Sequence, residues 1–353
     1  MDNNMTQMRP TISVVIATYN RAKMVREAVL AAWGQTLKPD EIVVSDDCSP
    51  DNTLEVLREL QKEIPILKIV ENAKNSGGVP NWNRVIEAST GDLIAWCSDD
   101  DMFTPDHLEN ALKVFVSDKT VDFLHAGFIN SNCRDDGTAV IEKSPLKSNE
   151  PIVISDNSII EYMAKYFNWP FHPSTWIFKR KVWMSCGPFD SSYELSDTDF
   201  FIRTGFKHKL IYAPYYGVIN RRHSGNWSNR VGSVNMHREF NAAIKNAYIE
   251  IQRRKLALGI NNFSLLDRQF RKWKNAYGLR VLRIFISRSR AGYFEQASAA
   301  AKEVRDNFGL LTTIPSWIRR LLVITVMKSL HFAQKYFLGG LGKYNNFGKD
   351  FPA

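Results

Sequence analysis

Apolar and polar positions along the first hundred residues alternate in blocks that are typical of alternating strands and helices. Short β-branched runs predict buried strands, and the longer amphipathic stretches between them predict helices. The predicted strands are Ile12–Ala17, Glu41–Ser45, Leu67–Val70 and Leu93–Cys97, and the predicted helices are Ala22–Trp33, Thr53–Glu63 and Asn81–Ser89. This order predicts an α/β fold with a mostly parallel sheet flanked by helices.

Longer elements follow in the second part of the chain. The predicted helices are Pro105–Val116 and Ser155–Phe167, the predicted strands are Pro173–Phe178 and Leu210–Ile219, and Val121–Asn130 forms a further segment. The stretch Asn132–Pro151 is polar and rich in Asp, Gly, Lys and Ser, which predicts a loop or a β-excursion. From Met236 the pattern is mainly helical, so we expect one domain over residues 1–234 and a helical C-terminal region over 235–353.

Charge divides the chain at the same position. Residues 235–353 carry 21 Lys and Arg against 7 Asp and Glu, a net charge of +14, which leaves −5 for residues 1–234. The basic region lacks a nucleic-acid recognition motif, so we expect no nucleic-acid partner. Basic and apolar residues interleave over Pro315–Gly339, which predicts an amphipathic helix on an anionic membrane surface. The alternative is a helical cap that packs on the body with a solvated basic face.

Targeting signals are weak in this sequence. Met1–Pro10 is polar and lacks the apolar run of a signal peptide. No uncharged apolar run approaches the ~20 residues that cross a bilayer. The four cysteines have no metal-ligand spacing and fit a reducing compartment. We therefore expect a cytoplasmic protein, peripheral on the inner face of the cell membrane if the basic helices bind lipid.

Three consecutive carboxylates, Asp99, Asp100 and Asp101, follow the fourth predicted strand. Adjacent carboxylates repel one another and cost desolvation, which favours a cation nearby. Hard oxygen ligands at the end of a strand suit Mg²⁺ or Mn²⁺ holding a phosphate-bearing ligand. The alternative is a helix cap with two solvated acids, and the triplet alone does not decide between them.

Polar residues also follow the other predicted strands, at Thr18–Arg21 and at Asp46–Asp47. Because ligands of parallel α/β sheets bind outside the carboxyl ends of the strands, these groups are expected to converge on one edge. The chain has neither a Gly-x-Gly-x-x-Gly motif after the first strand nor a Gly-Lys-Ser/Thr loop, which disfavours a Rossmann dehydrogenase and a P-loop enzyme. The ligand that this pattern still favours is a nucleotide held by carboxylates and a divalent cation.

Three motifs in order, Ser13–Arg21, Ile42–Ser49 and Gly91–Asp101, resemble the family 2 glycosyltransferases of GT-A type. The resemblance covers roughly Thr11–Ser228. It implies an inverting, metal-dependent hexosyltransferase that uses Mg²⁺ or Mn²⁺ and a nucleotide-diphosphate sugar, with a UDP-sugar favoured. It also implies a nucleotide-sugar half over about residues 1–105 and an acceptor half over 106–234.

Site residues carry over from the same resemblance, position by position. The implied donor-binding residues are Thr18, Tyr19, Asn20, Arg21, Asp46, Asp47, Asn83, Ser98, Asp99 and Arg222, and the implied metal ligands are Asp100, Asp101 and His223. The chain departs from the family pattern in two places. Ser98 stands where the first acid of Asp-x-Asp falls, and Asn81-Trp82-Asn83 replaces the usual Ala-Arg-Asn, which removes a basic group from the expected donor-phosphate contacts.

A catalytic base is expected in the second half, because the acceptor hydroxyl must lose a proton during in-line attack. In the family an acidic pair heads a helix here, with an Arg six residues after the base. Asp197 and Arg203 match that spacing, and Ser196 replaces the usual Glu. From the residues alone, Ser196 or Asp197 could equally cap the helix, with Asp199 favouring the helix dipole.

Together these features predict an inverting glycosyltransferase with Asp197 as the catalytic base. The predicted acceptor is a glycan or a lipid-linked hydroxyl, in the synthesis of an envelope polysaccharide such as O-antigen, capsule or exopolysaccharide. Two alternatives stay open at this point. One is an enzyme similar to sugar-nucleotide pyrophosphorylases, which would want a Gly-rich basic loop after the first strand. The other is a non-catalytic glycan-binding protein.

Overall fold

The computed structural model describes residues 9–133, 139–144, 146–155, 158–165, 172–193, 195–223 and 226, with scattered helical positions between 242 and 271. All of these residues belong to one of the two compact units into which the chain divides. The predicted boundary at residue 235 and the basic helix over Pro315–Gly339 lie outside the described residues. Both stay predictions.

The first half alternates strands and helices as the sequence pattern predicts. The strands are β1 (Ile12–Thr18), β2 (Glu41–Asp46), β3 (Leu67–Glu71) and β4 (Leu93–Trp96), and the helices are α1 (Ala22–Trp33), α2 (Thr53–Glu63) and α3 (Gly78–Glu87). Helix α3 begins three residues before the predicted start. Pro80 is accommodated in its first turn, where the missing N–H would have no helical partner.

The second half contains both very short and very long strands, and several elements that the pattern did not separate. The strands are β5 (Met102–Phe103), β6 (Phe123–Cys133), β7 (Ala139–Lys143), β8 (Ile152–Ile154), β9 (Ile177–Lys179) and β10 (Leu210–Arg222). The helices are α4 (His107–Ser117), α5 (Ser158–Lys165), α6 (Arg180–Cys186) and α7 (Ser196–Lys207), with a 3₁₀ turn at Pro173–Thr175. The polar stretch after residue 132 contains a β-excursion, because β7 pairs with β6.

Within the described residues, ten strands form one sheet in the order β3-β2-β1-β4-β9-β6-β10-β5, with β7 on β6 and β8 on β10. Strands β1 to β4 pair in parallel, and β6 pairs in parallel with β10. Strand β9 is antiparallel to both β4 and β6 and joins these two parallel groups. Most paired positions of the sheet are therefore parallel, as predicted, although the described strands of the second half add five short antiparallel pairings.

Helices packed on the sheet bury the central strands, and β1 and β2 are buried almost throughout their length. Val14 and Ile16 of β1 are inaccessible to solvent or nearly so, and they share a core with Val25 and Val29 of α1 and Leu57 of α2. This rigid layer fixes the carboxyl ends of the strands. The polar residues that follow them are therefore held in place.

The loop between β4 and β5 crosses the sheet. Strand β4 lies in the middle of the sheet, whereas β5 lies at its far edge and pairs with β10. The backbone N–H of Thr104 donates to the carbonyl of Gly217, which extends this attachment beyond β5. The three carboxylates lie in this crossing loop, between the first half of the chain and its last described strand.

A Gly91→Ala substitution is expected to destabilise the fold by about 1–3 kcal/mol, because overpacking at a rigid contact has that cost. A Cβ at Gly91 would lie 2.5 Å from Ser13 Oγ and 2.7 Å from the backbone nitrogen of Ser13 in β1. Urea unfolding of the two proteins measures the loss. Gly78→Ala is the matched control, because its Cβ would meet only the Trp82 ring at 3.9 Å. Equal unfolding midpoints for both variants would contradict the prediction.

Candidate active site

The polar residues that follow β1 and β4 meet at the predicted edge of the sheet. The hydroxyl of Thr18 donates to Asp99 Oδ2 at 2.8 Å. The guanidinium of Arg21 donates to Asp99 Oδ1 at 2.8 Å and to Asp100 Oδ2 at 2.6 Å. Two motifs that are separated by about 80 residues in sequence thus form one cluster.

Burial distinguishes the carboxylate triplet from a cap with solvated acids. Asp99 is 7% exposed and Asp101 is 2% exposed, and the residue before the first turn of α4 is Asp106. The alternative of solvated acids is therefore wrong. Desolvation together with the Asp100 carboxylate raises the pKa of Asp101 to about 8, and desolvation raises that of Asp99 to about 6 although Arg21 opposes the shift.

Arg21, which directly precedes α1, contributes a positive charge to this cluster. Burial opposes the charge of the guanidinium, but the carboxylates of Asp99 and Asp100 outweigh burial and raise the pKa of Arg21. Arg21 pairs with two of the three acids, and Arg221, which also pairs with Glu27, acts electrostatically on the third, Asp101. The excess of negative charge over short distances makes the cluster a site for additional cations.

Arg221 holds the backbone of the carboxylate loop. Its Nε donates to the carbonyl of Asp100 at 2.6 Å, and its Nη2 contacts the carbonyls of Met24 at 3.1 Å and Asp99 at 3.4 Å. The same guanidinium pairs with Glu27, and the backbone N–H of Arg221 donates to Asp101 Oδ1 at 3.2 Å. The donors of the Arg221 guanidinium are thus engaged by protein groups.

The residues after Arg221 lie beside Asp100. His223 Nε2 is 3.3 Å from Asp100 Oδ2, and the side-chain amide of Asn226 donates to the same oxygen at 3.2 Å. The side chain of Arg222 is exposed. The structure therefore brings the predicted ligands Asp100 and His223 together, while Arg222 faces solvent near the cluster.

The remaining donor-side residues surround the ends of β1 and β2. Asp46 accepts hydrogen bonds from the backbone and hydroxyl of Ser49, at 3.0 Å and 2.5 Å. Tyr19 is 44% exposed, and Asn20 adopts a left-handed conformation with φ of 55°. This conformation turns the chain sharply at the end of β1. Tyr19 and Asn20 therefore lie on the solvent-exposed rim at the carboxyl edge of the sheet.

Asp47 organises the loop before α3. It accepts hydrogen bonds from Ser76 N at 3.0 Å, Gly77 N at 2.8 Å and the Asn72 amide at 2.8 Å. Burial raises the pKa of Asp47, but these hydrogen bonds outweigh burial and lower it. The Asp47 carboxylate is thus ionised, and its oxygens accept hydrogen bonds from the loop before α3.

Asn81 and Asn83 of α3 have different surroundings. Asn81 is buried and bonds to Ser45 and to the carbonyl of Thr18, so it ties α3 to β1 and β2. Asn83 bonds to the backbone N–H and carbonyl of Phe189, at 2.9 Å and 3.0 Å. The predicted contact of Asn83 with the nucleotide-sugar donor stays a prediction. Ser98 lies next to the triplet, where its hydroxyl oxygen is 2.9 Å from the hydroxyl oxygen of Ser174.

Asp197 lies in the first turn of α7 and does not cap it. The helix begins at Ser196, and the residue before it is Leu195. Asp197 Oδ1 accepts a hydrogen bond from Thr198 N at 2.6 Å, and burial raises the pKa of the carboxyl group despite that bond. Asp199, one position beyond Thr198, instead pairs with Arg203 at 2.7 Å.

His172 is a neighbour of the site that the sequence reasoning missed. Its Nδ1 lies 3.8 Å from Asp101 Oδ2, and its ring interacts electrostatically with Asp100 and Asp197. Burial lowers the pKa of His172 to about 4, so the ring is neutral near pH 7. The residue precedes a 3₁₀ turn, and no local motif marks it in the sequence.

The oxygen and nitrogen atoms that the cluster could offer as metal ligands suit a hard divalent cation. Buried carboxylates with raised pKa values are stabilised in their charged form by an added cation. In the part of the chain that the structure describes, no three Asp, Glu, His or Cys side chains alone form a group that could hold a metal ion. Mg²⁺ characteristically takes one or two protein carboxylates and completes its shell with phosphates and water, so the residues fit.

A further finding concerns the helices. None of those within the described residues has both the length and the apolar character needed to span a membrane.

The fold is that of the GT-A glycosyltransferases. The chain aligns with S. aureus TarS 1–349 in complex with UDP-GlcNAc at a TM-score of 0.54 and 18% identity, over 84% of this chain and 92% of that one. It also aligns with the mannosyltransferase PcManGT from Pyrobaculum calidifontis, in complex with GDP-Man and Mn²⁺, at 0.52 and 16% identity, over 94% and 82%.

Residues 13–182 match the model of the family named Glycosyl transferase family 2, and the chain carries a glycosyltransferase domain of this family. Uncharacterized glycosyltransferase YwdF of Bacillus subtilis is 29% identical over 213 residues, 59% of this chain and 73% of YwdF. The GalNAc(5)-diNAcBac-PP-undecaprenol beta-1,3-glucosyltransferase of Campylobacter jejuni is 28% identical over 163 residues, 45% of this chain and 51% of that protein.

Proposed function

We propose that this protein is an inverting, divalent-cation-dependent glycosyltransferase. It would move a sugar from a nucleotide-diphosphate sugar to a hydroxyl group of a glycan or a lipid-linked acceptor. The observation that carries the proposal is the buried carboxylate triplet at the carboxyl edge of a mostly parallel sheet, with Arg21 on one side and His223 on another. Such an edge is where α/β sheets bind nucleotides.

The donor side is assigned to the ends of β1, β2 and β4. Thr18 and Arg21 fix the carboxylate of Asp99, while Tyr19 and Asn20 lie exposed on the rim. We assign nucleotide contacts to these rim residues and to Asp46, and assign diphosphate contacts to Arg21 and the exposed Arg222. A guanidinium keeps its charge at any working pH and matches the geometry of phosphate oxygens.

A divalent cation supplies stabilisation for the charge that develops on the leaving diphosphate. Asp100, Asp101 and His223 are the residues assigned to hold it. Breaking the sugar–phosphate bond leaves a nucleoside diphosphate, and the protein groups that face it must be cationic or cation-binding. The charges of Arg21, Arg221 and Arg222 do not exceed those of the triplet alone, so the diphosphate needs a further cation.

The acceptor side is assigned to α7. Asp197 takes the proton of the attacking hydroxyl, because burial raises its pKa and makes it a stronger base than an exposed Asp. Its electrostatic interaction with His172, which also interacts with Asp100, supports a position facing the cluster. Attack from that side, opposite the leaving diphosphate, inverts the anomeric carbon.

Relatives support the class of donor and acceptor without deciding either for this chain. TarS was crystallised with UDP-GlcNAc, and PcManGT with GDP-Man and Mn²⁺. The Campylobacter jejuni relative is named for a PP-undecaprenol substrate. We propose an envelope polysaccharide as the product, with a cytoplasmic protein that reaches lipid-linked acceptors through its basic residues 235–353.

Release of nucleoside diphosphate from a panel of UDP- and GDP-sugars, with Mn²⁺ or Mg²⁺ and with EDTA, tests the proposal. We expect slow hydrolysis of one donor that requires the metal and is lost in an Asp100→Ala variant. Calorimetry with UDP and GDP accompanies the panel, because transfer without an acceptor is slow. Absence of metal-dependent binding of both nucleotides would overturn the proposed function.

A further inference from the structure

His172 lies where the two halves of the candidate site meet. Its side chain is 14% exposed, and its ring packs against Phe128 with centroids 5.0 Å apart. Asp101 Oδ2 is 3.8 Å from its Nδ1, and Asp100 and Asp197 both act on its charge. The imidazole therefore faces the predicted metal carboxylates and the predicted base.

The surroundings of the ring determine which nitrogen carries the proton. The amide nitrogen of Asn220 donates to Asn130 Oδ1 at 2.9 Å, and the Asn220 side chain also makes a hydrogen bond to the His172 side chain that raises the pKa of the imidazole. A bond of that sign is one in which the ring donates, so the Asn220 amide oxygen is the acceptor. Nδ1 of His172 is buried and has no hydrogen-bond partner among the described residues. Nε2 is thus the protonated nitrogen, and Nδ1 presents a lone pair.

The lone pair of Nδ1 faces another acceptor. Asp101 Oδ2 accepts a hydrogen bond from Ser174 at 2.5 Å, and the 3.8 Å between the two acceptor atoms is too long for a hydrogen bond. A buried acceptor without a donor is costly, and two acceptors facing each other need a cation or a donor between them. A His whose second nitrogen is held by an amide, beside a carboxylate held by a hydroxyl, is typical of metal ligands.

We propose that His172 Nδ1 is a ligand of the divalent cation, together with Asp101. This proposal rests on the metal dependence of the proposed function and adds a nitrogen ligand from the acceptor half of the chain. Because His172 also faces Asp197, the cation and the base would be positioned by one side chain. A sugar hydroxyl that donates to Nδ1 is the competing occupant.

Electron paramagnetic resonance of Mn²⁺ bound to the full chain, with UDP or GDP present, tests this assignment. The His172→Gln variant keeps an amide near the position of Nε2 and removes Nδ1. We expect its Mn²⁺ affinity to fall by about tenfold or more, with an unchanged circular dichroism spectrum. His208→Gln is the matched control, because His208 pairs with Asp122 and Ser185, outside the cluster.

Pulsed measurements of nitrogen coupling to Mn²⁺ separate the two histidines. In a His223→Gln variant we expect an imidazole nitrogen signal to persist, and in the double variant with His172→Gln we expect it to disappear. Loss of the signal in His223→Gln alone would overturn the proposal. Unchanged Mn²⁺ affinity in His172→Gln with weakened donor hydrolysis would also overturn it, in favour of the hydroxyl. Nucleotide binding without any Mn²⁺ binding would remove metal dependence from the proposed function and this ligand with it.

Discussion

An Asp197→Asn variant is expected to lose about 10²- to 10⁴-fold in kcat, the usual contribution of a general base, while its affinity for the donor stays within about twofold. An amide has the shape of the carboxylate but cannot take the proton of the acceptor hydroxyl. Steady-state transfer rates and calorimetry with the nucleotide measure the two quantities separately. A kcat within about threefold of the original protein would contradict the assignment of the base.

Asp199→Asn is the matched control on the same helix. Asp199 also has a pKa raised by burial, but its carboxylate pairs with Arg203 rather than facing the cluster. We expect a small loss of stability and little change in kcat. The pH profile adds a signature, because a base must be ionised to act. Since burial raises the pKa of Asp197, activity should fall with decreasing pH at a higher pH than for an ordinary carboxyl near 4.

Replacement of Arg221 by Met is expected to lower the free energy of unfolding by about 3–5 kcal/mol, the usual cost of removing one partner from a buried ion pair. The side chain is 11% exposed and serves three backbone carbonyls and Glu27. The loss would leave those carbonyls without their donors. Urea unfolding measures the stability, and nucleotide binding should weaken because the carboxylate loop loses its anchor.

Arg222→Met provides the control at the next position. Its side chain is exposed, so its removal should change the free energy of unfolding by less than about 0.5 kcal/mol. If Arg222 contacts the diphosphate, nucleotide affinity should still fall in this variant. Equal destabilisation by both substitutions would show that the hydrogen bonds of Arg221 do not stabilise the fold.

The first half of the fold could be predicted from sequence because its signals are local and repeated. Helices α1 and α2 have the predicted bounds, and the strands β1 to β4 each end within one residue of the prediction. The second half was harder, since β5 has two residues and β9 has three. Strands of that length are too short to show a hydrophobic periodicity. They form because neighbouring strands of the sheet provide hydrogen-bond partners for their backbone.

The candidate site divides in the same way. The cluster of Thr18, Arg21 and Asp99 follows from parallel strands that end at one edge, which a sequence pattern can indicate. The roles of Arg221 and His172 could not be predicted, because no pattern of strand ends relates these residues to the carboxylate loop that they contact. Both are defined by which backbone carbonyl or lone pair lies beside them, and only the folded chain brings these together.

The carboxylate loop is attached to β10, so it can be held in place only after β10 has been made during protein synthesis. Strand β5 pairs with β10, and Arg221 at the end of β10 holds the carbonyls of Asp99 and Asp100. At about 5–20 residues per second, the ribosome makes β10 roughly 6–24 seconds after the loop. A nascent chain in that interval already contains β1 to β4 together with Thr18 and Arg21, but its carboxylate loop lacks the hydrogen bonds of Arg221. The attached form of the carboxylate loop can therefore arise only after residue 222 has been made, well after β1 to β4 are complete.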